Sequence, residues 1–113
     1  MKLITAVVQP SALEPIKTAL AEIGVTGMTI LDAKGHGSQV GKVEVYRSQR
    51  VKVDFLPKIQ LETIVTDEEL EAALDAIQEA ARTGAIGDGK IWVTDVHQVI
   101  RVRTGETGPT AIR

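Results

Sequence analysis

The sequence predicts an α+β sandwich made of two β-α-β units, and three observations predict it. Two stretches carry apolar residues at helical spacing, Leu13, Ile16, Leu20 and Ile23 in the first, Leu70, Leu74, Ile77 and Ala81 in the second. Each lies between short runs rich in β-branched residues, the composition of half-buried strands. Each is also preceded by a hydroxyl residue with glutamate three positions on, the spacing that marks a helix start. At 113 residues the chain suits one domain, residues 1–113, with enough length for a core that needs no covalent staples.

The elements follow in order. Residues 2–9 read as a strand ended by Pro10. Ser11 and Glu14 have the capping-box spacing, and Pro15 falls in the first turn, where its missing N–H is tolerated. Gly24 stands where a left-handed residue would stop this helix. Residues 28–34 resume strand character. Beyond them, residues 35–56 carry glycines at 35, 37 and 41 and an excess of Lys42, Arg47, Arg50 and Lys52 over Glu44 and Asp54. Val43, Val45, Val51 and Val53 alternate with polar residues, so a hairpin is plausible inside a long excursion, mobile until something binds it. Residues 59–65 make a third strand, Thr66 and Glu69 repeat the capping box, Arg82 and Gly84 close the second helix, and residues 91–100 form the last strand. This order is that of a ferredoxin-like sandwich, with helices on one face of a four-stranded sheet and another subunit expected to cover the other face.

Composition excludes several functions. There is no cysteine, so disulfides and thiolate metal sites are ruled out. A net charge of −2 gives no bulk attraction to nucleic acid, and the few aromatics form no stacking platform. Apolar runs are too short for a membrane span or a secretory signal, so a cytoplasmic protein is expected. His36 and His97 have no ligand partner at metal-site spacing, and no nucleophile–base arrangement is visible.

Two features can carry chemistry. Residues 83–90 contain Gly84, Gly87 and Gly89 followed by Lys90, so backbone N–H groups can turn toward an anion beside a point charge. The motif is not a P-loop, since it follows a helix and lacks that spacing. It reads equally as a helix stop and tight turn. Arg101 and Arg103, two apart at the expected end of a strand, would project to one side and prefer carboxylate or phosphate in their forks. Gln39 and Lys58 taken alone read as ordinary surface residues.

Residues 83–93 resemble the C-terminal signature of the PII nitrogen-regulatory proteins. So do Gly27-Met28-Thr29, Glu44-Val45-Tyr46-Arg47, the run from Val53 to Lys58 and the run from Arg101 to Glu106. The similarity runs from residue 1 to about 106. It implies a ferredoxin-like homotrimer that binds ATP or ADP in clefts between subunits and has no enzymatic activity. Residues 82–90 would be the family's B-loop, with Gly87, Asp88, Gly89 and Lys90 at the phosphates. Arg101 and Arg103, just before and within a C-terminal loop of residues 102–113, would reach them from the neighbouring subunit. Thr29, Gly35, Gly37, Ser38, Glu62 and Ile64 match pocket-lining positions. Gln39 matches the residue that ligates Mg²⁺ beside ATP and 2-oxoglutarate, with Gly41 nearby, and Lys58 the partner of that acid's distal carboxylate. Residues 37–55 would be the T-loop, presenting Tyr46 and Arg47 to an ammonium channel, another membrane transporter or a nitrogen-metabolism enzyme, with recruitment to the membrane by a transporter.

The chain also departs from the family pattern. Val51 replaces the tyrosine that is nucleotidylated in some members, and Gln49 the serine phosphorylated in others. Ser38 and Val40 stand where most members have arginine and lysine, a loss of two cations expected to weaken ATP more than ADP. His36 replaces a phenylalanine, and Ser11-Ala12 replaces Phe-Lys. These changes resemble divergent PII-like branches that sense an adenine nucleotide with another small anion. A small ferredoxin-like phosphatase of the acylphosphatase kind is the competing class, but it needs an asparagine and this chain has none.

Overall fold

In a computed structural model, residues 1–36 and 55–113 are described in full, together with the backbone of two short strands at 43–46 and 49–52. The elements are β1 (Lys2–Val8), a 3₁₀ turn (Pro10–Ala12), α1 (Leu13–Glu22), β2 (Thr29–Gly35), β3 (Val43–Tyr46), β4 (Gln49–Lys52), β5 (Leu56–Val65), α2 (Leu70–Ala81), β6 (Gly89–Asp95) and a second 3₁₀ turn (Gly108–Ala111). Four strands form one sheet in the order β2-β5-β1-β6, and β3 pairs with β4 apart from it. Every neighbouring pair in the large sheet is antiparallel. β1 and β2 are therefore parallel with β5 between them, and β5 and β6 are parallel with β1 between them. This is the split β-α-β arrangement that the sequence predicts.

Alternation along the strands decides what each face does. Ile4, Ala6 and Val8 of β1 and Ile59, Leu61 and Val65 of β5 point to the helices and are buried with Ile16, Leu20, Ala73 and Ile77. Each fully buried Ile or Leu contributes roughly 1.5–3 kcal/mol. The opposite face carries Leu3, Val7, Leu31, Ile64 and Trp92, with Leu31 46% and Trp92 45% exposed. That face has no covering element among the described residues.

The helix ends show which local signals won. α1 stops in a complete Schellman motif: Gly24, at φ +83°, donates to Ala21 O at 3.0 Å, and Val25 donates to Leu20 O at 2.9 Å. At α2 the capping box forms in both directions, Thr66 N–H to Glu69 Oε1 at 2.9 Å and Glu69 N–H to Thr66 Oγ at 3.2 Å. The box expected at Ser11 does not form. Gln9, extended as residues before proline are, leads directly into the 3₁₀ turn at Pro10, and α1 continues from it with Ala12 at its cap. α2 ends at Ala81 with Arg82 extended, so Gly84 shapes the following loop and does not cap the helix. β5 starts three residues earlier than expected because β2 runs on to Gly35, which pairs with Leu56. β6 ends at Asp95, not at residue 100, since β1 offers no partner beyond Lys2. Arg101 therefore lies outside any strand, and residues 102–104 form a turn, which removes the expected same-side projection of Arg101 and Arg103.

Candidate functional site

The expected site residues collect at two separate places on the open sheet face. Gly35, Lys58, Gly87, Asp88, Gly89 and Lys90 line a hollow of about 500 Å³ together with Val7, His36, Leu56 and Trp92. Thr29, Glu62 and Ile64 line a smaller one of about 210 Å³ with Leu3, Met28 and Ile112. The two lie four residues apart along β1, from Val7 to Leu3, or about 13 Å at the usual rise per residue. Arg101 and Arg103 line neither hollow. Gly37, Ser38, Gln39, Gly41 and Arg47 lie outside the described residues, as does the side chain of Tyr46; so does most of the expected T-loop.

In the larger hollow the loop between α2 and β6 is held by side chains on both flanks. The Gly87 carbonyl accepts from Lys58 Nζ at 2.7 Å and from Gln9 Nε2 at 2.9 Å. The Asp88 carboxylate accepts the N–H of Thr83 at 2.7 Å, the N–H of Gly84 at 2.9 Å and the Thr83 hydroxyl. Asp88 thereby keeps the loop's shape, and its own charge is engaged in doing so. Gly35 leaves room for the Lys58 stem: a Cβ there would meet Lys58 Cγ at 3.0 Å and Cε at 3.3 Å, so a side chain at this position would press the lysine aside by a few tenths of an ångström. Gly89 is fixed harder still, at φ +105° with an added Cβ 1.9 Å from the Val7 carbonyl oxygen. Two lysines, a glycine-rich backbone and the apolar wall of Val7, Leu56 and Trp92 make a pocket suited to an anion with an apolar portion. At its rim the rings of His36 and Phe55 lie 5.6 Å apart, tilted by 57°. Gln9, Val7 and Trp92 were not legible as site residues, for nothing in a lone strand-end glutamine announces its reach.

The Asp88 brace has a pH consequence. The Thr83 hydroxyl and then the Thr83 N–H, helped by the Gly84 N–H and the Lys58 charge and opposed by desolvation, hold this carboxyl below its usual value. A lowered folded-state pKa contributes stability above the ordinary carboxylate range, near 4, and loses it as pH falls through the lowered value. Amide signals of Thr83 and Gly84, followed by NMR, are expected to stay constant from about pH 5 to 8 and to shift only in stronger acid. Asp88→Asn is expected to show the acid-form pattern at neutral pH, and wild-type-like shifts in that variant contradict the brace.

The smaller hollow sits where the sheet edge changes. β2 begins at Thr29, opposite Glu62, so β5 has no β2 partner from Thr63 on. Successive residues of an antiparallel strand direct their N–H and C=O alternately to the two sides, so one of Thr63 and Ile64 presents both to this edge. Glu62 accepts from Gln60 at 3.0 Å, and the Thr63 hydroxyl donates to Gly27 O at 2.6 Å. Arg101 instead donates to Glu106 Oε1 at 2.9 Å and to Thr110 O at 2.7 Å. Arg103 is exposed and makes no hydrogen bond or ion pair among the described residues. Val102 between them is 98% exposed.

The sequence profile of the family described as Nitrogen regulatory protein P-II matches residues 1–106. The chain belongs to the P-II family. It is 52% identical to the Nitrogen regulatory protein P-II of Rhizobium meliloti (strain 1021) over 112 residues, covering 99% of this chain and 100% of the relative. Over the same shares it is 51% identical to the protein of that name from Azospirillum brasilense and 49% to Nitrogen regulatory protein P-II 1 of Escherichia coli (strain K12). P-II proteins are signal-transduction regulators of partner proteins in nitrogen metabolism. Among the described residues of this P-II chain, no helix is long and apolar enough to cross a membrane, and no cluster of three or more His, Asp or Glu could hold a metal ion.

Proposed function

We propose that this P-II protein is a non-enzymatic cytoplasmic sensor that reads ATP or ADP in clefts between three copies of itself. The observation that carries this reading is the separation of the two hollows, one cationic and glycine-rich, the other small with an open strand edge. A nucleotide's phosphates suit the first, beside Lys90 and the 83–90 loop, and its base suits the second, at Thr29, Glu62 and Ile64. A cleft between copies brings the loop of one chain to the strand edge and to Arg101 and Arg103 of the next. The exposed Val102, Trp92 and Leu31 supply apolar surface for such an assembly.

Mg²⁺ and 2-oxoglutarate complete the reading. Magnesium prefers oxygen donors, and the described residues offer it no acidic cluster of their own. The Gln39 side chain and the ligand's oxygens are the donor set that fits. Lys58, which lines the larger hollow, would take the acid's distal carboxylate. Binding the two ligands through one metal makes each strengthen the other. Their joint state would set residues 37–55, which carry Tyr46 and Arg47 to an ammonium channel, another transporter or a nitrogen-metabolism enzyme. Val51 and Gln49 leave no hydroxyl at the two positions that the family resemblance marks for modification, so neither of those two modifications operates here.

Calorimetry with ATP, ADP and AMP, each with and without Mg²⁺ and 2-oxoglutarate, tests this. The expected result is nucleotide binding, with 2-oxoglutarate binding only beside Mg-ATP. Nucleotide binding without any response to 2-oxoglutarate assigns the effector site to another small anion. No nucleotide binding at all overturns the reading.

A further inference from the structure

One wall of the smaller hollow, Ile112, comes from the C-terminal segment and has no role in the nucleotide reading above. Residues 108–113 fold back onto the sheet edge and bring Ile112 to the hollow's rim, facing Met28, Thr29, Glu62 and Ile64. A Cβ on Gly27 would lie 4.0 Å from the Ile112 carbonyl oxygen, so the segment sits directly against the turn that leads into β2. Three contacts pin it there. Gly108 donates to Val99 O at 3.1 Å, Arg101 donates to Thr110 O at 2.7 Å, and Arg113 pairs with Glu69 Oε1 at 2.9 Å. Glu69 is itself fixed, since the same carboxylate oxygen closes the α2 capping box with Thr66.

We propose that Ile112 is a ligand-contacting wall of the base pocket, and that the Arg113–Glu69 ion pair is the clamp that positions it. The proposal rests on the nucleotide reading above and assigns its base end. A flat nitrogen heterocycle needs hydrogen-bonding groups at its edge and apolar contact on its faces. The strand edge at Thr63 and Ile64 with the Thr29 hydroxyl supplies the first. Leu3, Met28, Ile64 and Ile112 are the large apolar residues that line it, and Ile112 alone of them comes from the C-terminal segment. Glu69 is held below the usual carboxylate range: burial opposes this, and the Thr66 amide, Arg113 and the Thr66 hydroxyl outweigh it. It therefore stays charged at neutral pH, and the clamp with it. Arg113 has no place in the hollow itself and acts through Ile112.

The test titrates the full chain and its Ile112→Ala, Arg113→Ala and Arg113→Lys variants with ATP, adenosine and inorganic tripolyphosphate. Losing the wall is expected to weaken adenosine and ATP alike, by about tenfold, and to leave tripolyphosphate unchanged. Arg113→Ala is expected to give a smaller loss with the same ligand pattern, and Arg113→Lys to restore most of it. Wild-type affinity for adenosine in Ile112→Ala overturns the proposal, as does tighter binding, which would make the segment an obstruction. Equal loss of tripolyphosphate also overturns it, because the effect would then run through the fold. If the unaltered chain binds tripolyphosphate but neither adenosine nor ATP, the nucleotide reading fails together with the wall; binding of all three with no Ile112 effect removes the wall alone.

Discussion

Gly89→Ala is expected to destabilise the protein by more than about 3 kcal/mol, a large share of the stability of a domain this size. Its Cβ would be built 1.9 Å from the Val7 carbonyl oxygen and 3.0 Å from Val8 Cα, both backbone atoms of an interior strand. Neither can move without breaking the β1–β6 ladder, whose last pairs are Val7 with Lys90 and Val8 with Gly89. The φ of +105° adds strain for any residue with a side chain. Gly84→Ala is the internal comparison. It shares a positive φ, +87°, but a Cβ there meets nothing within 4 Å, so about 1–2 kcal/mol is expected. Urea unfolding of both variants measures the difference. Equal destabilisation of the two would mean that conformation, not the approach of Val7, makes position 89 a glycine.

That contrast shows why part of the site was legible in the chain and part was not. The three glycines of residues 84–89 mark a special loop, yet they do different things: Gly84 turns the backbone, Gly87 offers its carbonyl to Gln9 and Lys58, and Gly89 makes room for β1. Composition cannot separate these roles, because each depends on which strand lies alongside. The two capping boxes make the same point about the fold. Thr66 and Ser11 have identical spacing to their glutamates, but Pro10 starts a 3₁₀ turn before Ser11 and takes the first positions of the helical path. Residues Gly24, Thr66 and the alternating runs in β1 and β5 act locally, and their roles follow from neighbours in sequence. Arg101 does not: where β6 ends depends on how far β1 extends, and the pair that ends it joins Lys2 to Asp95, 93 residues apart in sequence.

Arg101 also illustrates how assembly changes a residue's meaning. Within one chain its guanidinium is satisfied by Glu106 and Thr110, and this holds residues 106–110 in place. In the proposed cleft it would face phosphate as well, a stronger charge-assisted partner. Arg103, exposed and without such contacts among the described residues, can turn to a phosphate at no cost to the fold. The two arginines look equivalent in sequence, and the structure gives them different starting states. Removing Arg101 therefore disturbs the segment that carries Ile112, whereas removing Arg103 changes charge alone.

Lys58→Met is expected to abolish 2-oxoglutarate binding, a loss of at least about a hundredfold, while nucleotide affinity falls no further than it does in Gln9→Ala. Methionine keeps most of the stem that packs over Gly35 and removes the ammonium. Two roles for that ammonium are then separable. As a brace it shares the Gly87 carbonyl with Gln9, at 2.7 and 2.9 Å, so losing either donor leaves the carbonyl one partner and should loosen the 83–90 loop to a similar, modest degree. As the cation for the acid's carboxylate it would have no counterpart in Gln9, which is neutral, and Lys90, the other lysine lining the hollow, belongs to β6, two strands away from β5. Paired calorimetry on the two variants, with Mg-ATP and then with 2-oxoglutarate added, gives both numbers. Retained 2-oxoglutarate binding in Lys58→Met removes the effector role and leaves the lysine a loop brace. A nucleotide loss much larger than in Gln9→Ala would place the ammonium on the phosphates themselves.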